Sequence, residues 1–293
     1  MNNLCGFVNI IKPTGMTSSD VVIRVKKILH MKRVGHLGTL DPAASGVLPI
    51  AVGKATKFFD YFLSKEKKYT ALVEFGVETD TLDSFGNITK RDIEANVIEK
   101  DIKAVLNKFI GEIDQIPPKY SAIKIDGKKA CDLARENINF EIKPRKIRIF
   151  DIKLIKKCEK NKYLFSVHCQ AGTYIRTLFS DIAAALGTVA TTPVIIRTKS
   201  GAFEEKNSIT LEELEQQKKV ISIEEIFSSL KQVVLEESIS KKVLNGVKVF
   251  ASDIGLDKDY KEDFIITYND EIVGLFYVND GKVLPKVFLY ENN

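Results

Sequence analysis

The stretch GHLGTLDPAASGVLPI, residues 35–50, holds a single carboxylate, Asp41, among glycine, alanine, proline and aliphatic residues. This composition predicts a tight, largely buried loop that presents one acidic side chain. An ionised carboxylate in apolar surroundings is destabilised by desolvation unless a cation lies close to it. Arg176, in the segment GTYIRTL, is the candidate for that cation, although helical spacing alone also allows it a place on the surface. A neighbouring guanidinium would keep the carboxylate ionised at neutral pH.

The elements that must position these residues follow from hydrophobic periodicity. CGFVNIIKP reads as a strand that ends at Pro13, and Thr17 or Ser18 can cap the helix that follows. YTALVEFG alternates with a period of two, which predicts a strand that begins near Tyr69. GTYIRTLFSDIAAALG has apolar residues at helical spacing, which predicts a helix that ends at Gly187.

The mixture of strands and helices predicts an α+β protein whose main body is followed by a small β domain. We place the body at residues 1–232, with the acidic, helical stretch 204–232 as a connection, and the β domain at 233–293. The evidence for the second domain is a change to short strands, with YND and VNDG as hairpin turns.

The composition of the chain limits the classes of function that it can have. The net charge is +5 and the pI is about 8.8, which permits a polyanionic partner. No apolar run reaches the roughly 18 residues of a membrane helix, and the N-terminus lacks the pattern of a signal peptide. We therefore expect a cytoplasmic protein without a membrane partner. The four cysteines are scattered, with no CxxC pair, which predicts reduced thiols rather than disulfides or a metal site.

Residues 119–157 form a basic segment, which contains 12 Lys and Arg residues and five Asp and Glu residues. One interpretation is a solvated, lysine-rich surface. The other is a basic insertion, at about residues 119–145, that contacts the phosphates of a nucleic acid. On this second interpretation the RNA-binding side chains are Lys119, Lys124, Lys128 and Lys129.

The loop that contains Asp41 is accompanied by five further motifs. They are KPTGMTSSD at 12–20, GKATKF at 53–58, KKYTALVEFGVETDTLDSFG at 67–86, IPPKYSAIKIDGKKACDLAR at 116–135 and AGTYIRTLFSDIAAALG at 171–187. Together they resemble the TruB family of pseudouridine synthases over roughly residues 5–205. A collinear set of this kind is far more specific than one short motif. The resemblance implies the pseudouridine synthase fold, a mixed, largely antiparallel sheet flanked by helices, with a PUA-like RNA-binding domain at the C-terminus.

The resemblance also implies an activity. Enzymes of this family isomerise one uridine in the T-arm loop of tRNA: the bond between base and ribose breaks, the base rotates, and the two rejoin through carbon, without a cofactor or a metal. The implied partner is tRNA, with no obligatory protein partner, so we expect a monomer. A second role as a tRNA chaperone is compatible with this activity.

Individual roles come from the same resemblance. Asp41 matches the essential aspartate, which acts as nucleophile or as electrostatic partner. The implied substrate-binding residues are Tyr69, which stacks on the flipped base, Arg176, which pairs with the aspartate, His36, which fills the space that the uridine leaves, and the pocket residues Lys12, Tyr174 and Ile195. General physics agrees, because flipping a base costs a few kcal/mol and stacking on an aromatic side chain returns roughly 1–3 kcal/mol.

One departure and two alternatives accompany this interpretation. Ile196 stands where the family commonly has an arginine, so the role of that arginine is in doubt here. A tRNA chaperone that has lost turnover is disfavoured by the presence of Asp41, Tyr69 and Arg176. A carboxylate-based hydrolase such as a glycosidase would need a second acid across the scissile bond, and the loop around Asp41 contains none.

Overall fold

The structure, a computed structural model, describes residues 4–136 and 138–290. Its strands are β1 (Gly6–Lys12), β2 (Val34–His36), β3 (Ser45–Val52), β4 (Lys67–Phe75), β5 (Val77–Thr79), β6 (Ile88–Arg91), β7 (Gly111–Gln115), β8 (Lys124–Ile125), β9 (Lys128–Lys129), β10 (Arg145–Glu159), β11 (Lys162–Cys169), β12 (Ala190–Ser200), β13 (Phe203–Glu204), β14 (Lys231–Val234), β15 (Phe264–Tyr268), β16 (Glu271–Asn279) and β17 (Lys282–Phe288). Its helices are α1 (Ser18–Leu29), α2 (Phe59–Leu63), α3 (Glu99–Leu106), α4 (Ala130–Arg135), α5 (Ile175–Ala185), α6 (Leu211–Gln217), α7 (Ile223–Ile226) and α8 (Glu237–Leu244). The outer ends of the two predicted domains, residues 1–3 and 291–293, lie outside the described residues.

Within the described ranges, nine strands form a main sheet and four form a second sheet. The main sheet runs β1-β3-β12-β4-β11-β10-β7, with β2 paired to β3 and β13 paired to β12. Its neighbours pair antiparallel, except that β12 and β3 are parallel. This confirms the predicted fold class, a mixed and largely antiparallel sheet flanked by helices.

Helix α1 begins where its sequence predicts. Thr17 is the N-cap: its Oγ1 accepts a hydrogen bond from the Asp20 backbone N–H at 3.1 Å, and the Asp20 carboxylate accepts one from the Thr17 N–H at 2.8 Å. The two bonds form a capping box, which satisfies N–H groups that the first turn leaves free. The helix buries Val21 and Val25 against the sheet and ends where His30 adopts a left-handed conformation.

The largest apolar core lies between the main sheet and the helices α1, α3, α5 and α6. Strand β4 shows how the sheet contributes to it, because Ala71, Val73 and Phe75 are buried while the residues between them are half-buried. Tyr69 continues the same face and packs against the edge of this core. The predicted alternation of β4 is therefore confirmed, and it carries Tyr69 to the end of the sheet where the candidate site lies.

The opposite face of the main sheet packs against the second sheet. Phe7, Phe58 and Phe62 from the main body share an apolar cluster with Ile265 and Leu275 from β15 and β16. Because this cluster is continuous, the two sheets are held together by apolar burial rather than by a short linker alone. The predicted boundary between residues 232 and 233 falls within β14, and the division into two domains stays a prediction.

The hairpin turns of the second sheet match their sequence signals. Asn269 and Asp270 between β15 and β16 have φ angles of +49° and +61°, and Asp280 and Gly281 between β16 and β17 have +50° and +71°. Two successive positive φ values are typical of the type I′ turn that joins antiparallel strands tightly. No helix in the described part of the chain is long and apolar enough to cross a membrane.

Candidate active site

A cavity of about 230 Å³ lies where the ends of β4 and β12 meet the loop after β2 and the start of α5. We call it the Asp41 cavity. Five of the residues predicted for the site line it together: Asp41, Tyr69, Tyr174, Arg176 and Ile195. Two lining residues that the sequence reasoning missed are the cations Lys67 and Arg197.

The loop that carries Asp41 is anchored on both sides. Ser18 of α1 donates its hydroxyl to the Leu40 carbonyl at 3.0 Å and accepts the Leu40 N–H at 2.9 Å. The Asp41 carbonyl accepts the Ala44 N–H at 3.1 Å, which closes a turn. Leu40 and Ala44 are buried, whereas the Asp41 side chain is 38% exposed. The loop is therefore tight and apolar, as predicted, and it presents its one carboxylate at the cavity mouth.

Arg176 is the cation beside this carboxylate. Its Nη2 lies 2.7 Å from Asp41 Oδ2, although only 3% of the arginine side chain is exposed. The same guanidinium donates from Nη1 to the Thr81 carbonyl at 2.7 Å and from Nη2 to the Tyr120 carbonyl at 3.0 Å. The surface position that helical spacing left open for Arg176 is therefore wrong, because the arginine side chain itself is buried.

A second carboxylate, Asp83, lies behind Arg176. Its Oδ2 is 3.7 Å from Arg176 Nη1, and its Oδ1 accepts hydrogen bonds from Thr81 Oγ1 at 2.6 Å and from the Phe85 N–H at 3.0 Å. Asp83 is buried and does not line the cavity. It holds its own loop and the arginine, and it is shielded from a substrate in the cavity.

The start of α5 is fixed by Gln115 at the end of β7. The Gln115 side chain accepts the Tyr174 N–H at 2.8 Å and donates to the Tyr174 carbonyl at 3.1 Å. Gln115 is 1% exposed, so both bonds are shielded from water. Because Tyr174 is the N-cap of α5, this pair sets the positions of Tyr174 and, two residues later, of Arg176. Burial raises the pKa of the Tyr174 phenol.

Tyr69 and Arg197 form the floor of the cavity. The Arg197 guanidinium is 1% exposed and donates to the carbonyls of Val47, Thr39 and Gly38 at 2.8, 3.1 and 3.3 Å. Burial raises the pKa of the Tyr69 phenol to about 12, although the neighbouring Arg197 opposes the shift. Tyr69 therefore stays a neutral aromatic ring at physiological pH, which suits it to stacking.

Two buried lysines add positive charge near the site. Lys67 donates from Nζ to two carbonyls at the end of α2, Leu63 at 2.8 Å and Phe62 at 3.3 Å, and to the Lys65 carbonyl just after the helix. Lys12 donates to the Pro13 and Met16 carbonyls, both at 2.8 Å. Burial lowers the pKa of each lysine to about 8; Asp41 partly opposes the shift in Lys12.

Some predicted residues lie outside the cavity. Lys12 is fully buried beneath the site, and His36 sits at the end of β2, paired with Ile50 of β3. Neither lines the Asp41 cavity. The His36 Nδ1 atom is buried without a hydrogen-bond partner among the described residues, and burial lowers the pKa of the imidazole. His36 is therefore neutral at physiological pH.

The four predicted RNA-binding lysines are exposed and lie apart from the cavity. Lys124 of β8 pairs across the hairpin with Lys129 of β9, and Lys128 follows the Asp126-Gly127 turn. Like charges opposite each other in a hairpin are destabilising unless an anion lies near them. The carbonyl of Tyr120, at the base of this segment, is bonded to Arg176. The segment thus connects a basic surface to the arginine that pairs with Asp41.

The positions of Arg197 and Lys67 in the sequence indicate that they share a strand face with predicted pocket residues. Arg197 lies two positions after Ile195 on one strand, and Lys67 lies two positions before Tyr69 on another. Since side chains two residues apart share a face of a strand, both cations could have been placed beside predicted pocket residues. Asp83 and Gln115 had no such signal, because their roles depend on loops that meet only in the folded chain.

The arrangement defines what chemistry is available. The Asp41 carboxylate, the flat neutral ring of Tyr69 and the apolar side chain of Ile195 line one cavity, and the cations Arg176, Arg197 and Lys67 line it with them. Buried Asp83 cannot act as the second acid of a glycosidase, because it is engaged by Arg176 and does not line the cavity. No group of three His, Cys, Asp or Glu residues able to hold a metal occurs in residues 4–136 and 138–290.

Comparison with known proteins identifies similar sequences over most of the chain. A family model described as the N-terminal domain of the TruB family pseudouridylate synthases matches residues 26–175. The chain is 43% identical over 282 residues to the tRNA pseudouridine synthase B of Clostridioides difficile strain 630, with 92% of each protein covered. It is 42% identical over 275 residues to the tRNA pseudouridine synthase B of Clostridium tetani, with 92% of this chain and 94% of the relative covered.

Solved structures with the same fold include two large assemblies. A chain in the crystal structure of a Cbf5-Nop10-Gar1 complex superposes with a TM-score of 0.73 at 29% identity, covering 98% of this chain and 84% of that chain. A chain in an H/ACA RNP bound to a substrate RNA containing 2′-deoxyuridine gives a TM-score of 0.71 at 27% identity, covering 98% of this chain and 85% of that chain. Both likenesses extend through the second sheet as well as the main one.

Proposed function

Because this chain belongs to the TruB family of pseudouridine synthases, we propose that it converts one uridine in the T-arm loop of tRNA into pseudouridine. The observation that carries the proposal is the ion pair between Asp41 and Arg176 at the mouth of a cavity that Tyr69 lines. The relatives named above act on tRNA by name, and we extend that substrate to this chain. We expect the protein to act as a monomer.

The reaction is an isomerisation, so its atoms balance without a co-reactant. The bond between the ring nitrogen of uracil and the anomeric carbon breaks, and the electron pair leaves with the base. The base turns within the cavity, and its carbon 5 forms a new bond to the anomeric carbon. Carbon 5 then loses its proton, and the freed ring nitrogen ends with one.

Asp41 starts this sequence by one of two routes. As a nucleophile, its carboxylate bonds to the anomeric carbon and is later displaced by carbon 5. As a base, it removes a proton from the ribose carbon beside the anomeric carbon and expels the uracil; the proton returns to that ribose carbon when carbon 5 bonds to the anomeric carbon. Both routes use the negative charge of the carboxylate, and the contact of 2.7 Å places the Arg176 guanidinium directly against it.

The remaining cavity residues bind and orient the base. Tyr69 offers a neutral ring to stack on it, and Ile195 contacts it from the side. Arg197 and Lys67 place fixed positive charge on the same cavity, where the departing uracil becomes electron-rich. Preorganised charge of this kind stabilises a transition state without reorganising as the reaction proceeds. Lys12, below the loop, adds to the same field, and His36 is available to fill the space that the flipped uridine leaves.

We assign recognition of the RNA to two surfaces outside the Asp41 cavity. We assign phosphate contacts to Lys119, Lys124, Lys128 and Lys129, because all four are exposed and because Lys124 and Lys129 lie directly opposite each other in the hairpin. We assign a docking role to the second sheet, as a PUA-like domain that includes residues 233–293. An RNA loop suits such an enzyme, because its bases splay out more easily than those of a duplex.

The test uses an unmodified tRNA transcript. The purified protein should form pseudouridine at one uridine of the T-arm loop, as mapped by chemical modification and primer extension. A transcript with cytidine at that position should yield none. Absence of pseudouridine in the T-arm loop of the first transcript, or its formation only elsewhere, would overturn the proposal.

A further inference from the structure

A second cavity, of about 470 Å³, lies between α2 and the turn that joins β12 to β13. We call it the Phe150 cavity. Its lining combines aromatic rings with charged groups: Tyr61, Phe62, Phe150, Phe227, Lys65, Glu66 and Lys199. None of these side chains lines the Asp41 cavity, and the mechanism above uses none of them.

The two cavities lie side by side along the same edge of the main sheet. Three separate segments each contribute to both: Leu63 and Lys67 line the Asp41 cavity while Lys65 between them lines the other. In the same way Gly172 lines the first and Gln170 the second. On β12, Arg197 lines the first and Lys199 the second, a separation of two residues or about 7 Å along a strand. That step is comparable with the spacing of consecutive phosphates in an unstacked RNA strand.

The aromatic part of this cavity includes a ring that is open to a ligand. Phe150 is 41% exposed, its ring contacts the His168 ring with centroids 4.9 Å apart, and the Arg148 guanidinium lies 5.8 Å from its centre. A ring that is partly exposed and packed against a neighbouring ring in this way is a platform on which a nucleobase can stack. Such stacking tolerates any base, because every base has a π-face.

The charged part is biased toward cations. Lys65 Nζ lies 3.9 Å from the centre of the Tyr61 ring, and burial lowers its pKa. The turn at Gly201 holds Lys65 in place, because the Gly201 N–H donates to the Glu66 carbonyl at 3.0 Å. Lys199 pairs with Glu204 at 2.8 Å.

Other charged groups face the same region. Glu204 also pairs with Lys206, and the Glu66 carboxylate lies 2.9 Å from His168. Asp263, just before β15, and Lys286 of β17 form a pair at 2.6 Å, and both charges act on Lys65. The carboxylates of Glu66, Glu204 and Asp263 thus each have a cationic or imidazole partner. Among the described residues, Lys65 is the lysine lining this cavity that has no carboxylate within ion-pair distance.

We propose that the Phe150 cavity binds the nucleotide next to the isomerised uridine, with its base stacked on Phe150 and its phosphate near Lys65. The assignment rests on the proposed function, since it needs an RNA substrate whose uridine enters the Asp41 cavity. Holding the neighbouring nucleotide out of the loop stack fixes the strand on one side of the flipped uridine. This subsite therefore contributes to substrate binding rather than to bond breaking.

The first test is a double-mutant cycle that combines a substitution in the protein with the removal of one base from the RNA. A T-arm stem-loop is prepared intact and with an abasic site on the 5′ or the 3′ side of the target uridine. For one of the two abasic RNAs, binding to the parent protein should weaken about tenfold, the scale of one base–aromatic stack. The Phe150→Ala variant should bind intact RNA about tenfold more weakly, and that same abasic site should cost it nothing further.

A matched control is Phe85→Ala, because Phe85 is a 57% exposed ring that lines neither cavity. It should bind all three RNAs like the parent. Phe150→Leu keeps apolar volume against His168 and repeats the measurement if the alanine variant is unstable. Unchanged binding of intact RNA by Phe150→Ala, or losses that multiply when the two changes are combined, would overturn the proposal.

A second test addresses the phosphate. Lys65→Gln should reduce the salt dependence of binding by about 0.7 in the log–log slope, as expected when one phosphate of a single strand is no longer neutralised. Lys68→Gln, at an exposed neighbour outside both cavities, is the control. Equal slopes for the Lys65 variant and the parent would remove the phosphate from the assignment.

Two further measurements complete the test. One asks whether the occupant is a free nucleotide or part of the RNA, and the other distinguishes failure of this inference from failure of the proposed function. Free uridine and cytidine monophosphates, added at millimolar concentration, should leave binding of the stem-loop unchanged; displacement would point to a free nucleotide as the occupant and overturn the proposal. Pseudouridine formation by the parent is measured in parallel. A parent that forms pseudouridine but shows no coupling with Phe150 contradicts this inference alone. A parent that forms none contradicts the proposed function, whatever the binding cycle shows.

Discussion

The guanidinium of Arg176 meets the carboxylate of Asp41 at 2.7 Å, although the arginine is buried and the aspartate is half exposed. The buried partner is held by carbonyls of two loops that are far apart in sequence, at Thr81 and Tyr120. The exposed partner is held by the turn around Leu40. A fixed cation therefore faces a carboxylate that remains open to substrate, and the predictions for Arg176 and Asp41 follow from this arrangement.

Replacing Arg176 by lysine should impair catalysis more than binding. Lysine keeps the positive charge, but its single ammonium cannot reach Asp41, Thr81 and Tyr120 in the geometry of a planar guanidinium. We expect kcat to fall about a hundredfold, the scale of removing one preorganised donor from an active site. The measurement is release of tritium from carbon 5 of labelled uridine in a T-arm stem-loop, beside filter binding. An unchanged kcat would show that Arg176 only stabilises the fold.

Glycine is required at position 46 because the backbone of Arg197 passes directly over it. A Cβ at Gly46 would lie 2.3 Å from the Arg197 carbonyl oxygen and 2.7 Å from its nitrogen, and φ there is +103°. Gly46→Ala should therefore lower the free energy of unfolding by more than about 2 kcal/mol. Gly35→Ala is the control, because a Cβ there meets nothing within 4 Å, and it should stay within about 0.5 kcal/mol of the parent. Equal midpoints of urea unfolding for the two variants would contradict this account of the loop.

Much of the fold could be predicted because its elements carry local signals. The period of two in β4, the cap at Thr17 and the Asp-Gly turn between β16 and β17 each depend on a few adjacent residues. The order of the strands in the main sheet could not be predicted in this way. It depends on which apolar faces pack together, and the parallel contact of β12 with β3 joins residues about 150 positions apart.

The residues of the site also differ in whether the sequence alone could predict them. Asp41 stands out because no other acid occupies its loop, and Arg176 follows as the cation such a carboxylate requires. Asp83 is an ordinary acid in the sequence and becomes part of the site only because its loop folds against Arg176. His36 shows the opposite case: it is close to Asp41 in sequence, yet the structure places it outside the Asp41 cavity.

The stability of the protein should rise with pH above about pH 8 because of Lys67. Burial lowers the pKa of this lysine from 10.5 to about 8. Between these values the unfolded chain binds the proton that the folded protein has released, so the free energy of unfolding increases with pH. Relative to Lys67→Met, the parent should gain up to about 1.4 kcal/mol per pH unit in this window. The pKa of Lys12 is lowered in the same way, but Lys12 is present in both proteins, so its contribution cancels in the difference between them.

The measurement is urea unfolding of the parent and of Lys67→Met at half-unit intervals from pH 7 to pH 10.5. The difference between the two free energies should change between about pH 8 and pH 10.5 and be nearly constant near pH 7. A difference that is independent of pH throughout would contradict the burial of a titrating ammonium at this position.

The exposed lysines of the β8–β9 hairpin should govern the salt dependence of RNA binding. Reversing Lys128 and Lys129 to glutamate should flatten the dependence of affinity on salt, by about 0.7 in the log–log slope for each phosphate of a single strand that is no longer neutralised. The control reverses Lys100 and Lys108, two exposed lysines at α3 and just after it, away from the hairpin. If both double variants keep the parent slope, the hairpin does not bind phosphate.

The central claim is that Asp41 takes part directly in breaking the glycosidic bond. Asparagine has nearly the same shape but is neither charged nor nucleophilic, so Asp41→Asn isolates the chemistry of the carboxylate. The assay is tritium release from carbon 5 of uridine in a T-arm stem-loop, with filter binding of the same RNA. We predict that Asp41→Asn forms no pseudouridine and binds the RNA at least as tightly as the parent, because one negative charge near the RNA is removed. Turnover by Asp41→Asn at near the parent rate would show that Asp41 is a structural residue and would contradict the mechanism.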